Sequence, residues 1–227
     1  MNTNITPGRD HPAGPPALDW PHLYRAGLSA WASAPVLLML HGTGGDEEEI
    51  LGLADALDPA ATVLSPRGQV IEGGMRRWFR RLSEGVFDVD DVVRRAEELA
   101  GFLAWARHRY ELGERPIVAV GFSNGANIAL ATALLHPAAL NRVIAFSGMF
   151  PLDGRSLTTD LSASEVLLLG GRTDPMAPLD SVDTVAAALT ARGAQVERKI
   201  RDGGHGITAA DVAAARSWLA RRRQAAG

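Results

Sequence analysis

Short, almost continuous apolar runs alternate along the chain with longer stretches in which apolar residues recur every three or four positions. "VLLML" (Val36–Leu40), "TVLS" (Thr62–Ser65), "IVAV" (Ile117–Val120), "RVIAFS" (Arg142–Ser147) and "EVLLLG" (Glu165–Gly170) have the first character. Such runs suit strands of a parallel sheet, which are covered on both faces. "VERKI" (Val196–Ile200) alternates and suits an edge strand, while "HLYRAG", from His22, reads as a leading antiparallel strand. The helical spacing covers Asp46–Leu57, Asp88–Tyr110, Asn124–Leu135, Leu179–Arg192 and Thr208–Arg223. Four acids open the first of these, where the positive pole of a helix favours them. In the second, Val92, Val93, Ala96, Leu99, Ala100 and Leu103 gather on one face. Strands alternating with helices predict an α/β fold, a doubly wound and mostly parallel sheet with helices on both faces. No repeat or linker interrupts residues 20–227, so one domain is expected there, after a proline-rich arm over residues 1–19.

Composition removes several function classes. The chain has 227 residues, 46% of them hydrophobic, enough to bury a large core. A net charge of −3 gives no reason to expect nucleic acid or an anionic membrane as partner. There is no cysteine, which excludes disulfides, thiolate metal sites and cysteine nucleophiles. No run reaches the roughly 18 apolar residues of a membrane span, and the N-terminus lacks the basic start and apolar stretch of a signal peptide. A cytoplasmic setting is expected. Lys199 is the single lysine, so arginine is this chain's default cation. On that ground Arg76, Arg77, Arg80 and Arg81 read as a solvated face.

Against this background "IVAVGFSNGANIAL" (Ile117–Leu130) stands out, because it sets Ser123 between Gly121 and Gly125 where strand-like sequence becomes helix-like. A Gly-x-Ser-x-Gly arises by chance roughly 0.1 times in a chain of this composition, before any context is required. At a strand–turn–helix junction the pattern presents a nucleophile on a strained elbow, the two glycines allowing strand and helix to pass closely. A serine hydroxyl needs a base, a carboxylate to orient that base, and N–H donors for the developing oxyanion. Asp174 follows a predicted strand in "EVLLLGGRTDPMAP", and His205 follows the next in "VERKIRDGGHGIT". Alone, Asp174 fits equally well as the start of a turn before Pro175, and a loop histidine is usually only solvated. Their order, Ser–Asp–His with each after a strand, is what points to a triad.

"LMLHGTGGDEEEI" places a glycine-rich turn after a central strand, and the backbone N–H of Thr43 would pair with that of Asn124 to form the oxyanion hole. A phosphate loop is the rival reading. No Gly-Lys-Ser/Thr follows, and the four acids would repel phosphate. Histidines are scattered one per element and no metal-ligand spacing occurs, so no metal and no cofactor is expected.

With "LHGTGGDEEEILGLADALDP", "VLSPRG", "GMRRWFRRLSEGVFD", "VAVGFSNGANIAL", "GGRTDPMAP" and "GGHGIT" in order over residues 36–208, the chain resembles the α/β-hydrolases of the phospholipase/carboxylesterase group. Within it the chain is most like bacterial hydroquinone-specific-hydrolase-like esterases. The resemblance implies Ser123 as nucleophile, Asp174 as acid, His205 as base, and Thr43 with Asn124 as oxyanion donors. It also puts the segment of Met75, Trp78 and Phe79 beside the serine, where these side chains are read as a bulky pocket wall. Phe122, Met149, Phe150 and Met176 adjoin strand C-termini, where open α/β sheets hold ligands; Phe150 and Met176 fit the core equally well. Only 50 residues separate Ser123 from Asp174, too few for a large lid beside the strands and helix they must supply. The expectation is a serine esterase acting through an acyl-enzyme on small, short-acyl and aryl esters, its partner a small-molecule ester. A thioesterase or lysophospholipase of the same fold is the enzymatic alternative, and a non-catalytic ligand-binding protein the other. A homodimer is left open.

Overall fold

The computed structural model describes residues 19–28, 34–83 and 85–224. The arm expected over residues 1–19 therefore lies, Asp19 apart, outside the described residues. The central sheet comprises β1 (His22–Arg25), β2 (Val36–Leu40), β3 (Thr62–Pro66), β8 (Ile117–Phe122), β9 (Arg142–Phe146), β10 (Glu165–Gly171) and β11 (Gln195–Arg201). Two hairpins, β4 (Val70–Glu72) with β5 (Met75–Arg77) and β6 (Arg81–Ser83) with β7 (Val86–Phe87), lie between β3 and the first long helix. The helices are α1 (Leu51–Leu57), α2 (Val89–Arg109), α3 (Asn124–Leu135), α4 (Leu179–Thr190) and α5 (Ala209–Gln224).

The sheet runs β1-β3-β2-β8-β9-β10-β11; β1 is antiparallel to β3 and the other pairs are parallel. Burial follows from the pleat, because alternate residues of a strand face opposite sides. Val36, Leu38 and Leu40 join the cluster that includes Phe102 of α2, Leu130 of α3 and Leu189 of α4. Leu37 and Met39 join the other, with Ala54 and Leu57 of α1 and Trp218 of α5. All five residues of β2 are fully buried, each large side chain contributing about 1.5–3 kcal/mol. Helix α3 is apolar nearly all round and lies buried, as its sequence requires.

From β2 the chain first moves to one edge, through β3, and later returns to place β8 on the other side of β2 and continue outward. Strand order thus reverses between β2 and β8. Open α/β sheets bind ligands at the carboxyl end of such a switch point, and the turns after these two strands carry Thr43 and Ser123.

One helix boundary departs from expectation. The acids at Asp46–Glu49 form turns, and α1 begins only at Leu51. Asp46 Oδ1 accepts the N–H groups of Glu48 and Glu49 at 3.0 and 3.1 Å, a local alternative to helix. Glu47 leaves the series to meet Arg67. Among the described residues no helix is long and apolar enough to cross a membrane.

Candidate active site

Ser123 joins β8 to α3 with φ 52° and ψ −115°, a left-handed conformation that L-residues rarely hold without surrounding constraint. The constraint is packing. A Cβ built on Gly121 would lie 2.5 Å from the Gly125 carbonyl oxygen, and one on Gly125 would lie 2.5 Å from that of His41 and closer to that of Leu40. The two glycines of the motif therefore permit strand β8, helix α3 and the end of β2 to converge beneath the serine. The Ser123 N–H donates to Phe146 O (2.9 Å), which anchors the elbow to β9.

His205 Nε2 lies 2.9 Å from Ser123 Oγ, and His205 Nδ1 lies 2.8 and 3.0 Å from the two oxygens of Asp174. A carboxylate only accepts, so Nδ1 carries the proton and Nε2 offers its lone pair to the serine hydroxyl. Asp174 is buried. Its Oδ1 also accepts the N–H groups of Met176 (2.8 Å) and Ala177 (3.1 Å), which satisfies the charge and locks its rotamer. The turn-starting role weighed for Asp174 and its histidine contact thus coexist. Ser147 Oγ donates to the His205 carbonyl (2.9 Å) and steadies the loop, while Phe122 sits against the imidazole with centroids 5.1 Å apart.

In the turn after β2, the Gly44 N–H donates to Arg76 O (2.8 Å) and the Gly45 N–H to Gly42 O (3.2 Å). Among the described residues, the N–H groups of Thr43 and Asn124 have no protein acceptor, and both residues line a small cavity with Ser123. That is the disposition an oxyanion hole requires. His41, below the turn, donates from Nδ1 to Gly42 O (2.7 Å) and accepts the Gly68 N–H at Nε2 (2.9 Å). Burial holds its pKa below the ordinary histidine value, against the smaller opposing pull of the Gly42 carbonyl and nearby acids.

The aromatic wall is a correction. Trp78 and Phe79 are buried, 3% and 0% exposed, and belong to the core. Trp78 Nε1 donates to His41 O (2.9 Å) and its backbone N–H to Asn124 Oδ1 (2.7 Å), while Phe79 meets Phe87 edge-on at 5.0 Å. They lie in the connection between the two hairpins and face inward, where they join the core cluster that includes Phe102 and Leu130. Met75 is exposed on β5. Met149 and Met176 line the cavity at the serine, and Phe150 lines a neighbouring cavity of about 390 Å³. Sequence reasoning read Arg77 and Arg81 as part of a solvated face and assigned no role to Gly85 or Phe87, yet all four line the serine cavity. The one signal for them lay in the "GMRRWFRRLSEGVFD" block.

Arg77 also departs from the solvated face. It is 4% exposed, and its guanidinium donates from Nη1 to Thr43 Oγ1 (2.9 Å) and from Nε to Phe79 O (3.3 Å). No group of three His, Cys, Asp or Glu among the described residues is arranged to hold a metal ion.

Comparison with known proteins agrees with this architecture. Residues 29–222 match the phospholipase/carboxylesterase family. The chain is 38% identical over 197 residues to MhqD of Bacillus subtilis (strain 168), covering 87% of this chain and 96% of that one. It is 28% identical to the esterase YpfH of Escherichia coli (strain K12) over 76% of each. The Bacillus cereus carboxylesterase superposes with a TM-score of 0.84 at 37% identity, over 89% of this chain and 94% of its own.

Proposed function

The chain belongs to the phospholipase/carboxylesterase family of α/β-hydrolases, hydrolases and esterases among them, and on that premise we propose that it is a serine carboxylesterase cleaving small carboxylic esters through an acyl-enzyme. The observation that carries the reading is the continuous relay from Ser123 Oγ to His205 Nε2, and from His205 Nδ1 to the buried Asp174 carboxylate.

The chemistry follows from these contacts. His205 Nε2 takes the proton of Ser123 as its Oγ attacks the ester carbonyl, and the carbonyl electron pair moves onto oxygen. The Thr43 and Asn124 N–H groups receive that oxyanion, and one such donor is typically worth about 2.7–4 kcal/mol of barrier. Collapse expels the alcohol with the proton now on His205, leaving the acyl group on Ser123. Water then repeats the sequence and releases the acid. Asp174 keeps its charge throughout and stabilises the imidazolium. No cofactor takes part in any step.

Substrate size is argued from the cavities, since the Trp78–Phe79 wall is core. The space of about 390 Å³ shares Gly85, Phe87 and Met149 with the serine cavity. Small-molecule pockets span about 300–1,000 Å³, so this space suits a compact group. Phe87 and Phe150 line this space, and an aromatic contact with an aryl ester is worth about 0.5–1.5 kcal/mol beyond area burial.

Labelling with a fluorophosphonate, and kcat/KM for p-nitrophenyl esters from C2 to C12, test the proposal. Labelling at Ser123 with an optimum at short acyl chains is expected. Absence of labelling would refute the nucleophile, and an optimum at C10 or longer would refute the small-substrate reading in favour of a lysophospholipase or long-chain thioesterase.

A further inference from the structure

Three consecutive residues, Arg76–Trp78, touch both arms of the oxyanion hole. Arg76 O accepts the Gly44 N–H (2.8 Å), Arg77 Nη1 donates to Thr43 Oγ1 (2.9 Å), Trp78 Nε1 donates to His41 O (2.9 Å), and the Trp78 N–H donates to Asn124 Oδ1 (2.7 Å). The Gly44 bond removes the neighbouring N–H from competition and leaves that of Thr43 for an incoming oxygen. The Asn124 bond fixes the side chain of the other donor and leaves its Nδ2 buried without a partner among the described residues, although a buried polar group is normally satisfied.

The donor needing most help is Thr43. It lies in a glycine-rich turn outside any helix or strand, whereas Asn124 is the first residue of a packed helix. The Thr43 hydroxyl accepts a hydrogen bond from Arg77, whose side chain is 5% exposed, with Glu72 3.8 Å from its Nε. Burying a guanidinium is unfavourable unless its donors are used.

We propose that Arg77 is a positioning residue for the oxyanion hole, aiming the Thr43 backbone N–H through the Thr43 hydroxyl, with Trp78 setting the Asn124 arm against it. The inference rests on the serine-esterase reading, and it concerns when the bond matters. Arg77 lines the edge of the serine cavity, yet its effect on the oxyanion donor passes through Thr43: its bond keeps a donor aimed at an oxygen that carries full charge only in the tetrahedral intermediate. Loss of the bond should therefore act on kcat and leave KM nearly unchanged, because a ground-state carbonyl oxygen is a weaker acceptor in a different place.

The test uses Thr43→Val, which removes the acceptor and keeps the shape and the backbone N–H, Arg77→Met, and the double variant. With p-nitrophenyl acetate each single variant is expected to lose about 10- to 100-fold in kcat, short of the roughly 10²–10³ for removing a donor outright. In Thr43→Val, which leaves the Arg77 side chain in the cavity lining, KM should move less than about threefold, and fluorophosphonate inactivation should slow in parallel with kcat. The two losses should fall well short of multiplying, because both variants break the same Arg77–Thr43 bond even though Arg77→Met also gives up the Phe79 and Glu72 contacts, and Thr43→Ser should recover most of the activity. Thr43→Val retaining more than half of the wild-type kcat, losses that multiply, or a change confined to KM would each overturn the proposal. If Arg77→Met fails to fold, Thr43→Val against Thr43→Ser decides alone. Wild-type protein that neither hydrolyses the ester nor takes the label would refute the esterase reading and this inference with it. An active wild type indifferent to Thr43→Val would refute the inference only.

Discussion

Replacing Gly125 by alanine puts a methyl group where three backbone segments converge. Its Cβ would sit 2.5 Å from the His41 carbonyl oxygen, and ordinary contact begins near 3.4 Å, so α3 and the end of β2 must separate by roughly 0.9 Å there and by more at Leu40. Asn124 precedes Gly125 and Thr43 follows His41, so the separation pulls the two oxyanion arms apart. A misplacement of about 1 Å can cost about 10²-fold in rate, or about 2.7 kcal/mol of barrier. Stability should respond less. Overpacking costs about 1–3 kcal/mol, whereas exchanging glycine for alanine within a helix returns up to about 1 kcal/mol. At about 2–4 °C per kcal/mol for a chain of this size, Tm should fall by no more than about 12 °C. Gly52 is the matched control: it too is the second residue of its helix, and a methyl there meets nothing within 4 Å. The assay is kcat/KM on p-nitrophenyl acetate, with thermal unfolding by circular dichroism. Gly52→Ala should keep full activity. If Gly125→Ala keeps more than a tenth, close packing under the elbow does not set the hole's geometry.

Ser123→Ala should lower kcat by about 10⁴- to 10⁶-fold, His205→Ala comparably, and the double variant little further, because members of a relay act as a unit; multiplicative losses would show separate roles. Burial lowers the His41 pKa, so the unfolded chain binds a proton near the ordinary value of about 6.5 that the folded protein refuses. The stabilisation is fully present above that pH and is lost as pH falls through it toward the lower folded value. Urea midpoints measured from pH 8 to 5 should therefore fall more steeply for wild type than for His41→Gln, and parallel slopes would refute the assignment. Activity should be unchanged by EDTA, since no step of the relay requires a metal; loss on chelation with recovery on adding a divalent ion would overturn the mechanism.

What the sequence disclosed, and what it hid, divides along a physical line. The buried parallel strands were legible because covering on both faces forces uninterrupted apolar runs, and β2 has no polar residue. Ser123 and Asp174 were legible because each follows such a strand, and His205 because it follows the alternating edge strand β11 in the order the fold expects. The segment from Val70 to Phe87 was not, since its strands are two or three residues long and no periodicity can develop. Trp78 and Phe79 looked like a pocket wall because an aromatic in an irregular stretch has no pattern to show which way it faces. Arg77 was hidden by composition, as one buried arginine among many exposed ones differs only in its tertiary partners. The false start of α1 has the same origin: Asp46 suits a helix N-terminus and an Asx turn equally, and the turn prevailed.

The hairpin segment performs two tasks that are usually thought of as separable. Arg81, Gly85 and Phe87 line the serine cavity, while Arg76 to Trp78, a few residues earlier on the same stretch, fasten the turn and helix that carry the two donors, Arg77 belonging to both groups. A graft that imports this stretch from a relative to alter substrate preference would also import a foreign fastening for the turnover machinery. Diversification of selectivity in this chain is therefore tethered to rate, and a library confined to Arg81–Phe87, with Arg76–Trp78 held constant, is the route that loosens the tether.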